Sequence, residues 1–383
     1  MRIVELLRGE FTEYWLTAVA REPGSAAQAA DRLYARIASA LVERKIQPVQ
    51  EKLYGPLAAK PGVLAARRAM LERAGLDASV PVTYIDGRPG EPSLAAFGVQ
   101  IWGIAAGASG VPRVATLEGP AAGREVRGPG FRLACFSDLG ATSSGREQAG
   151  SVAQVEGMLA DAEAALTTQG LSFAHVARTW IYMARLLDDY ADINRVRTDF
   201  YRARGMSGRP GDRPFPASTG IQGASGERRC VMDLLAADGA GVTIEPVQRS
   251  RVQDAAFAYG SAFSRATIVG FGGARTLLVS GTASIDAAGR TCHEGDREAQ
   301  VVETLRSVSA LLEDAGATMQ DIASATVFAK DRETYDAFLR VTSGDRGAPY
   351  GLGFPFVPML ADVCRADLLF EMEAVVPLRG TKP

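Results

Sequence analysis

The chain has 383 residues, which is long for one compact domain and favours two or three units. Hydrophobic residues make up 47 % and charged residues 22 % of the chain, an ordinary composition for a globular protein with a sizeable core. The formal net charge of −2 excludes a general electrostatic attraction to nucleic acid or to an anionic membrane. An anionic ligand would therefore have to be held by a few local arginines.

The cysteines and the apolar segments bear on the compartment. The four cysteines are widely spaced and include no Cys-x-x-Cys pair, which is typical of reduced thiols rather than of a disulfide framework. The first dozen residues contain acidic side chains and lack the apolar core of a signal peptide. No apolar run approaches the roughly 18 residues of a transmembrane helix. We therefore expect a soluble, cytoplasmic protein that does not associate with membranes.

The first hundred residues predict a small unit of strands and helices. Residues 3–18 are typical of a β-hairpin, and Leu33, Ile37 and Leu41 mark one face of an amphipathic helix. The other elements expected here are a strand at 49–54, a second helix at about 61–74 and a closing strand at 98–103.

The rest of the chain contains a repeat. Residues 153–182 and 299–328 align without a gap at an offset of 146 residues. Spacings of four, three and four residues place the shared apolar positions on one helix face, and these positions are Val155, Leu159, Ala162 and Leu166 in one copy and Val301, Leu305, Val308 and Leu312 in the other. In each copy a hairpin precedes this helix. After it come a short strand, a second helix (about 189–203 and 332–342), a loop rich in Pro and Gly, and a closing strand (229–235 and 369–375).

These elements predict an α/β (α+β) fold made of three ββαβαβ units. The expected boundaries are 1–107 for a degenerate N-terminal unit, 108–247 for the second unit and 248–383 for the third. The match of the first unit to the others rests on element order and on a few residues.

Two common kinds of cofactor site are disfavoured. His175 and His293 lie in different repeats, and Cys292 beside His293 does not complete a tetrahedral metal site. The glycine-dense run 270–273 is followed by a strand instead of the helix N-terminus that a dinucleotide-binding loop requires. We therefore predict a tight turn at this run, and neither a metal nor an organic cofactor.

The two closing strands differ at one informative position. Aligning them by Met232 and Met372 places Val231 opposite Glu371, within an otherwise apolar run. A buried carboxyl group there would have a raised pKa and could serve as a general acid near neutral pH. Alternatively, Glu371 and Glu373 lie on the solvent face of an edge strand, since they are two residues apart. The residues alone leave both interpretations open.

A second cluster lies just before the hairpin of the third unit. Residues 259–266 combine the phenol of Tyr259, the hydroxyl of Ser264 and the guanidinium of Arg265. Such a set could bind a carboxylate, although an exposed arginine beside serines is also typical of a solvated loop.

At this point the residues resemble a known family. The third repeat is similar to Rid/YjgF proteins in Gln300, in the stretch 315–331 and in the closing Glu371-Met372-Glu373-Ala374. The whole chain more closely resembles the chorismatases, through residues 98–103, 259–266, 279–285 and 362–374. The resemblance implies a pseudo-trimeric monomer of three fused Rid/YjgF-like (chorismate-mutase-like) units, with the active site in the third.

The resemblance also implies roles for individual residues. Glu371 corresponds to the catalytic carboxylate that would protonate the enolpyruvyl methylene of chorismate, while Glu373 is expected to matter far less. Cys364 resembles the cysteine of members that form 3-hydroxybenzoate, and Ala283 falls near a second position that varies with the product. The expected carboxylate ligands are Tyr259, Ser264, Arg265 and Arg365.

Three alternatives remain open for the function. Attack by water would give 3,4-dihydroxycyclohexa-1,5-dienoate and pyruvate in place of 3-hydroxybenzoate. A Rid-like enamine/imine deaminase is disfavoured because Phe354-Pro355 is followed by Phe356-Val357 and not by the arginine of that pattern. A catalytically silent binding protein is disfavoured by Glu371. Chorismate is thus the expected small-molecule partner, no cofactor is expected, and we expect a monomer.

Overall fold

A computed structural model describes residues 1–20, 26–87, 97–119, 121–140, 150–209, 211–343 and 353–378. These residues form three mixed sheets, and each sheet has two helices packed on one face. The fold is therefore α+β and contains three units of similar plan, as predicted. No helix in the described ranges is long and apolar enough to cross a membrane.

The first unit contains a five-stranded sheet in the order β1-β2-β5-β3-β4. Its elements are β1 (Arg2–Arg8), β2 (Phe11–Ala20), α1 (Ala26–Glu43), β3 (Gln47–Tyr54), α2 (Lys60–Arg73), β4 (Val82–Ile85) and β5 (Phe97–Ala105).

The second unit contains a six-stranded sheet in the order β10-β9-β11-β8-β7-β6. Its elements are β6 (Arg113–Thr116), β7 (Gly123–Gly128), β8 (Phe131–Leu139), α3 (Ser151–Thr168), β9 (Val176–Met183), α4 (Leu186–Arg202), β10 (Ala217–Gln222) and β11 (Cys230–Asp238).

The third unit contains a six-stranded sheet in the order β12-β13-β14-β17-β15-β16. Its elements are β12 (Thr243–Val247), β13 (Ala266–Phe271), β14 (Ala274–Ala283), α5 (Arg297–Asp314), β15 (Ser324–Ala329), α6 (Arg332–Ser343), β16 (Phe356–Leu360) and β17 (Phe370–Leu378).

Each unit has a strand beyond the predicted ββαβαβ order in the segment predicted to be a loop, and the second and third units each have one further strand, β6 and β12, at the opposite sheet edge. The short strands β4, β10 and β16 each pair in parallel with the strand that follows the first long helix. All three lie at a sheet edge, where a proline such as Pro358 is tolerated because the outer backbone edge need not donate to a partner strand.

The second and third units meet in sequence at β12. This strand, which the predicted boundaries assign to the second unit, pairs with β13 in the third sheet. We therefore propose to keep the three-unit division with the second boundary moved to about residues 239–242.

The long helices pack as their apolar periodicity predicts. Val155, Leu159, Ala162 and Leu166 of α3 are buried in the core of the second unit, and the matching residues of α5 are buried in the third. Gly170 and Gly316 follow these helices with φ of 69° and 79°, the left-handed conformation that ends a helix readily when the residue is glycine.

The inner faces of the three sheets meet around a pseudo-threefold axis. The rings of Phe11, Phe131 and Phe271, one from each unit, lie 5.2 to 6.4 Å apart between centroids at the hairpin turns. The turn after Phe271 uses Gly272 and Gly273 with positive φ, which confirms the predicted tight turn. The three units thus form one closed body with three internal interfaces.

Candidate active site

The closing strands β5, β11 and β17 present equivalent residues to the neighbouring unit. An outer position is occupied by Gly98, Val231 or Glu371, and an inner position two residues on by Gln100, Asp233 or Glu373. Side chains of the edge strand of an adjacent unit reach these positions: Thr83 of β4 binds Asp233, Thr219 of β10 binds Glu373, and Val357 of β16 packs against Gly98. The outer and inner positions therefore lie at the three interfaces. Only the interface between the second and third units, which we call the second–third interface, has a carboxylate at the outer position.

Glu371 lies in the interior of the molecule. Its strand β17 is flanked by β14 and β15, and both Glu371 and Glu373 are only 5 % exposed, so the edge-strand interpretation is wrong. Burial, together with the nearby charge of Glu373, raises the pKa of Glu371 to about 8, although Arg178 opposes the shift. Within the described residues, its carboxyl group has no hydrogen-bond donor to hold it ionised. Glu371 is therefore largely protonated near neutral pH and suited to donate a proton.

The hairpin of the third unit leaves room for this carboxyl group. A Cβ atom at Gly281 would lie 2.1 Å from Oε1 of Glu371, so a larger residue at this position would displace the carboxyl group. Ala283 is the direct β14 partner of Glu371, and Phe328 is its partner on β15. The structure thus places Ala283 directly beside Glu371 on the adjacent strand, while a role of Ala283 in the choice of product stays a prediction.

Glu373 has a different environment from Glu371. It accepts hydrogen bonds from Nη2 of Arg178 at 2.8 Å and from the hydroxyls of Thr219 at 2.5 Å and Thr326 at 3.1 Å. Arg178 and Thr219 belong to the second unit. Glu373 is therefore a buried ion-pair partner that joins two units, and it is not available as a free acid.

Cys364 lies close to Glu371 and is hydrogen-bonded to Tyr190 of α4. Burial raises the pKa of this thiol to about 12, and the nearby charge of Glu371 adds to the shift. A thiol with so high a pKa is uncharged at neutral pH and is a poor nucleophile. Cys364 can therefore shape the site next to the acid without forming a covalent intermediate.

Two guanidinium groups lie close to the ring of Tyr259. The Cζ atom of Arg265 lies 5.3 Å from the ring centroid, and that of Arg365 lies 6.0 Å from it. Arg265 is 1 % exposed and directs Nε and Nη2 to the carbonyl of Asp254 at 3.0 and 2.8 Å, which fixes its orientation. Arg365 is half-buried and donates to the carbonyl of Gly289. The cluster concentrates positive charge beside Cys364 and Tyr190.

Ser264 is adjacent to this cluster but uses its hydroxyl elsewhere. Its Oγ donates to the carbonyl of Phe215 at 2.6 Å, and its backbone nitrogen donates to the carbonyl of Pro216. Ser264 thus connects the second and third units. Its role as a substrate ligand stays a prediction.

Four residues of the second unit contribute to the site and were missed by the sequence reasoning: Arg178, Tyr190, Arg197 and Thr219. Arg197 is 6 % exposed, binds Asn194 at 2.9 Å through Nη2, and has a buried Nε without an acceptor among the described residues. Arg197 lies close enough to Tyr190 for its positive charge to oppose the rise that burial causes in the pKa of the Tyr190 phenol. Arg178 could have been noticed, because a guanidinium in the otherwise apolar strand 176–183 requires a buried partner.

Comparisons with known proteins agree with this architecture. Residues 255–375 match the family model described as Endoribonuclease L-PSP. A "3-hydroxybenzoate synthase" of Streptomyces hygroscopicus is 28 % identical over 225 residues, which is 53 % of this chain and 64 % of that protein, so the match spans somewhat less than two thirds of the relative. A crystal structure of a chorismatase superposes with a TM-score of 0.61 over 95 % of this chain and 98 % of that one, at 18 % identity. The resemblance and the fold that it implies are confirmed.

Proposed function

We propose that this chain, which has the Rid-like fold in the fused, three-unit form of a chorismatase, cleaves chorismate and releases pyruvate. One observation carries the proposal. Glu371 is a buried carboxyl group with a pKa raised to about 8, and it lies beside an uncharged thiol and near a pair of arginines. Chorismate is an enol ether with two carboxylates, so it needs both a proton donor and cationic groups.

Glu371 supplies the proton in the first step. The π electrons of the enolpyruvyl double bond take this proton at the methylene carbon, which leaves an oxocarbenium ion at the ether carbon. The bond between the ether oxygen and the ring then breaks, and its electron pair completes the carbonyl group of pyruvate. A protonated acid held in an apolar strand is suited to this step because the ionised form would be poorly solvated there.

Arg265, Arg365 and Tyr259 bind the two carboxylates in this proposal. Arg265 is held by Asp254 and stacks beside Tyr259, so it is oriented before the substrate arrives. Arg365 is more exposed and lies 6.0 Å from the centroid of the same phenol ring, and in this proposal it binds the second carboxylate. Arg197, with its unsatisfied Nε, is a further cation on the second-unit side of the site.

The product follows from which oxygen attacks the ring. When the ring hydroxyl displaces pyruvate, its proton returns to Glu371, and aromatisation gives 3-hydroxybenzoate with no consumption of water and no redox change. When water attacks, the product is the dihydroxycyclohexadienoate. We favour 3-hydroxybenzoate because Cys364 is present and because the related protein is named a 3-hydroxybenzoate synthase. The deaminase alternative gains no support, since Val357 packs against Gly98 in the interior.

The direct test is to incubate the purified chain with chorismate. Pyruvate is followed by reduction with a coupled lactate dehydrogenase, and the aromatic product is identified by mass spectrometry against authentic standards. Equal amounts of pyruvate and 3-hydroxybenzoate are expected. Absence of pyruvate release would overturn the proposal, and pyruvate with the dihydroxy acid would overturn only the product assignment. Light scattering in the same preparation should give a monomer, because the three units already close the ring that three separate subunits would form.

A further inference from the structure

A second polar site lies between the three sheets and shares Arg178 and Glu373 with the surroundings of Glu371. It is a cavity of about 80 Å³ between the three sheets, and side chains from all three units line it. The walls include Trp15, Trp102 and Trp180 together with aliphatic side chains. Four charged side chains also reach it, namely Glu13, Lys52, Arg178 and Glu373. Glu371, Arg265 and Arg365 are not among the lining residues.

The two carboxylates of the cavity already have partners. Glu13 is paired with Arg8 and accepts a hydrogen bond from Nε1 of Trp102 at 2.8 Å. Glu373 is held by Arg178 and by two threonine hydroxyls. Neither carboxylate therefore needs a further donor.

The two cations, in contrast, have hydrogen-bond donors without acceptors among the described residues. The ammonium of Lys52 lies 3.3 Å from the ring centroid of Trp180 and, within the described ranges, makes no ion pair or hydrogen bond, although Lys52 is only 5 % exposed. Burial lowers the pKa of Lys52 to about 8, because the ammonium is removed from water. Arg178 uses Nη2 on Glu373 and Thr219, while its Nη1 is buried without an acceptor among the described residues.

We propose that this cavity binds a short-chain organic monocarboxylate between Lys52 and Arg178, with the apolar part of the ligand against the tryptophans. The unsatisfied donors select an anion, and the aromatic and aliphatic walls select a carbon chain over a mineral ion. An apolar cavity of about 150 Å³ holds a benzene ring, so the smaller volume here fits an acid of about three or four carbons. The site does not depend on chorismate cleavage.

The tryptophans make the test specific. The sequence has 3 tryptophans and all of them line this cavity, so selectively excited tryptophan emission reports from the cavity alone. Propionate, which does not absorb in this range, is titrated into the whole chain at constant ionic strength with sodium chloride as the reference. A saturable change of emission is expected with propionate and not with chloride.

Two variants separate this cavity from the Glu371 site. Lys52→Met keeps an unbranched side chain that is one atom shorter and removes the charge, and it should weaken propionate binding about 10-fold or more, the contribution of one charge-assisted hydrogen bond. Arg365→Met, at the other site, should leave propionate binding unchanged. No saturable change in the wild-type chain, an equal response to chloride, or loss of binding in Arg365→Met would overturn the proposal. If Lys52→Met fails to fold, the proposal is tested with a crystal of the wild type soaked in propionate. Electron density for propionate between Lys52 and Arg178 is expected, and its absence would overturn the proposal.

Discussion

The first–second and second–third interfaces are built on the same plan. In one, Thr83 and Gln50 of the first unit donate to Asp233 at 2.6 and 3.3 Å. In the other, Thr219 and Arg178 of the second unit donate to Glu373 at 2.5 and 2.8 Å. In both interfaces a threonine from the neighbouring edge strand binds the inner carboxylate. The second donor lies on the strand that pairs with this edge strand, two residues before the residue opposite the threonine.

The two interfaces differ at the outer position. Val231 is 1 % exposed and packs in the same apolar cluster as Ile85 and Tyr182, whereas Glu371 occupies the matching place without a donor among the described residues. At the third interface, Gly98 leaves space that Val357 fills. The comparison indicates that the inner carboxylates Asp233 and Glu373 join the units through hydrogen bonds. The outer carboxylate Glu371 makes no such bond among the described residues, so it is available as a proton donor.

The strongest test of this contrast is to remove the acid at one interface and the valine at the other. Glu371→Gln should lower kcat for pyruvate release by about 100- to 10,000-fold, the usual contribution of a general acid. Its affinity for chorismate should change much less, because a proton donor acts mainly in the transition state. Steady-state kinetics and equilibrium binding measure the two effects.

Val231→Ala is the matched control at the equivalent strand position. It should lower the free energy of unfolding by about 2 kcal/mol through the cavity that it leaves, with kcat within a few-fold of wild type. Similar losses of kcat in both variants would show that the outer position matters for packing and not for proton transfer.

The inner position should behave in the opposite way. Glu373→Gln leaves the buried guanidinium of Arg178 without its counter-charge, so the free energy of unfolding should fall by about 3 to 5 kcal/mol. Urea denaturation measures this loss. A variant as stable as the wild type would mean that Glu373 does not hold the two units together. Activity of the folded fraction should suffer less than in Glu371→Gln.

Ionisation of Glu371 should lower the free energy of unfolding as the pH rises. The folded protein raises the pKa of Glu371 from 4.5 to about 8, so its protonated form is favoured by folding. The stabilising contribution is complete below the unfolded pKa and is lost as the pH rises through the folded value. Glu371→Gln cannot ionise, so it should be more stable than wild type at about pH 8 and equal to it near pH 4. Pyruvate release by the wild type should decline over the same alkaline range, and a profile still rising there would contradict the assignment.

The smallest change in rate is expected at Cys364. Cys364→Val removes a neutral thiol of similar size, so total pyruvate release should stay within a few-fold of wild type. The product should shift from 3-hydroxybenzoate toward the dihydroxycyclohexadienoate, as quantified by chromatography. An unchanged product ratio would remove Cys364 from the determinants of the product.

Much of the fold was predictable because it follows from local periodicity. Buried residues of α3 and α5 recur every three or four positions, and this pattern can be recognised in the sequence without knowing which elements pack together. Glu371 was predictable as a site residue because two copies of one strand could be compared. The edge strands were missed because Pro and Gly usually end strands, and a sheet edge relaxes that restriction.

The environment of Glu371 could not be predicted in the same way. Arg178 acts on Glu371 from another unit, and Tyr190 of that unit binds the neighbouring Cys364. The periodicity of a sequence does not indicate which sheet edges lie against each other. For the same reason Glu373 looked like a dispensable neighbour of Glu371, although it is paired across an interface with Arg178.

The closed ring of units has a consequence for how the chain folds. Arg8 binds the carbonyl of Phe271 across 263 residues of sequence, and Gln100 binds the carbonyl of Ala325 across 225. Such contacts must wait until the third unit has been synthesised, and their high sequence separation slows the search for them. Until then the rings of Phe11 and Phe131, together with the open sheet edges, remain exposed. During synthesis this protein should therefore depend on chaperones until its last unit leaves the ribosome, more than three independently folding subunits would.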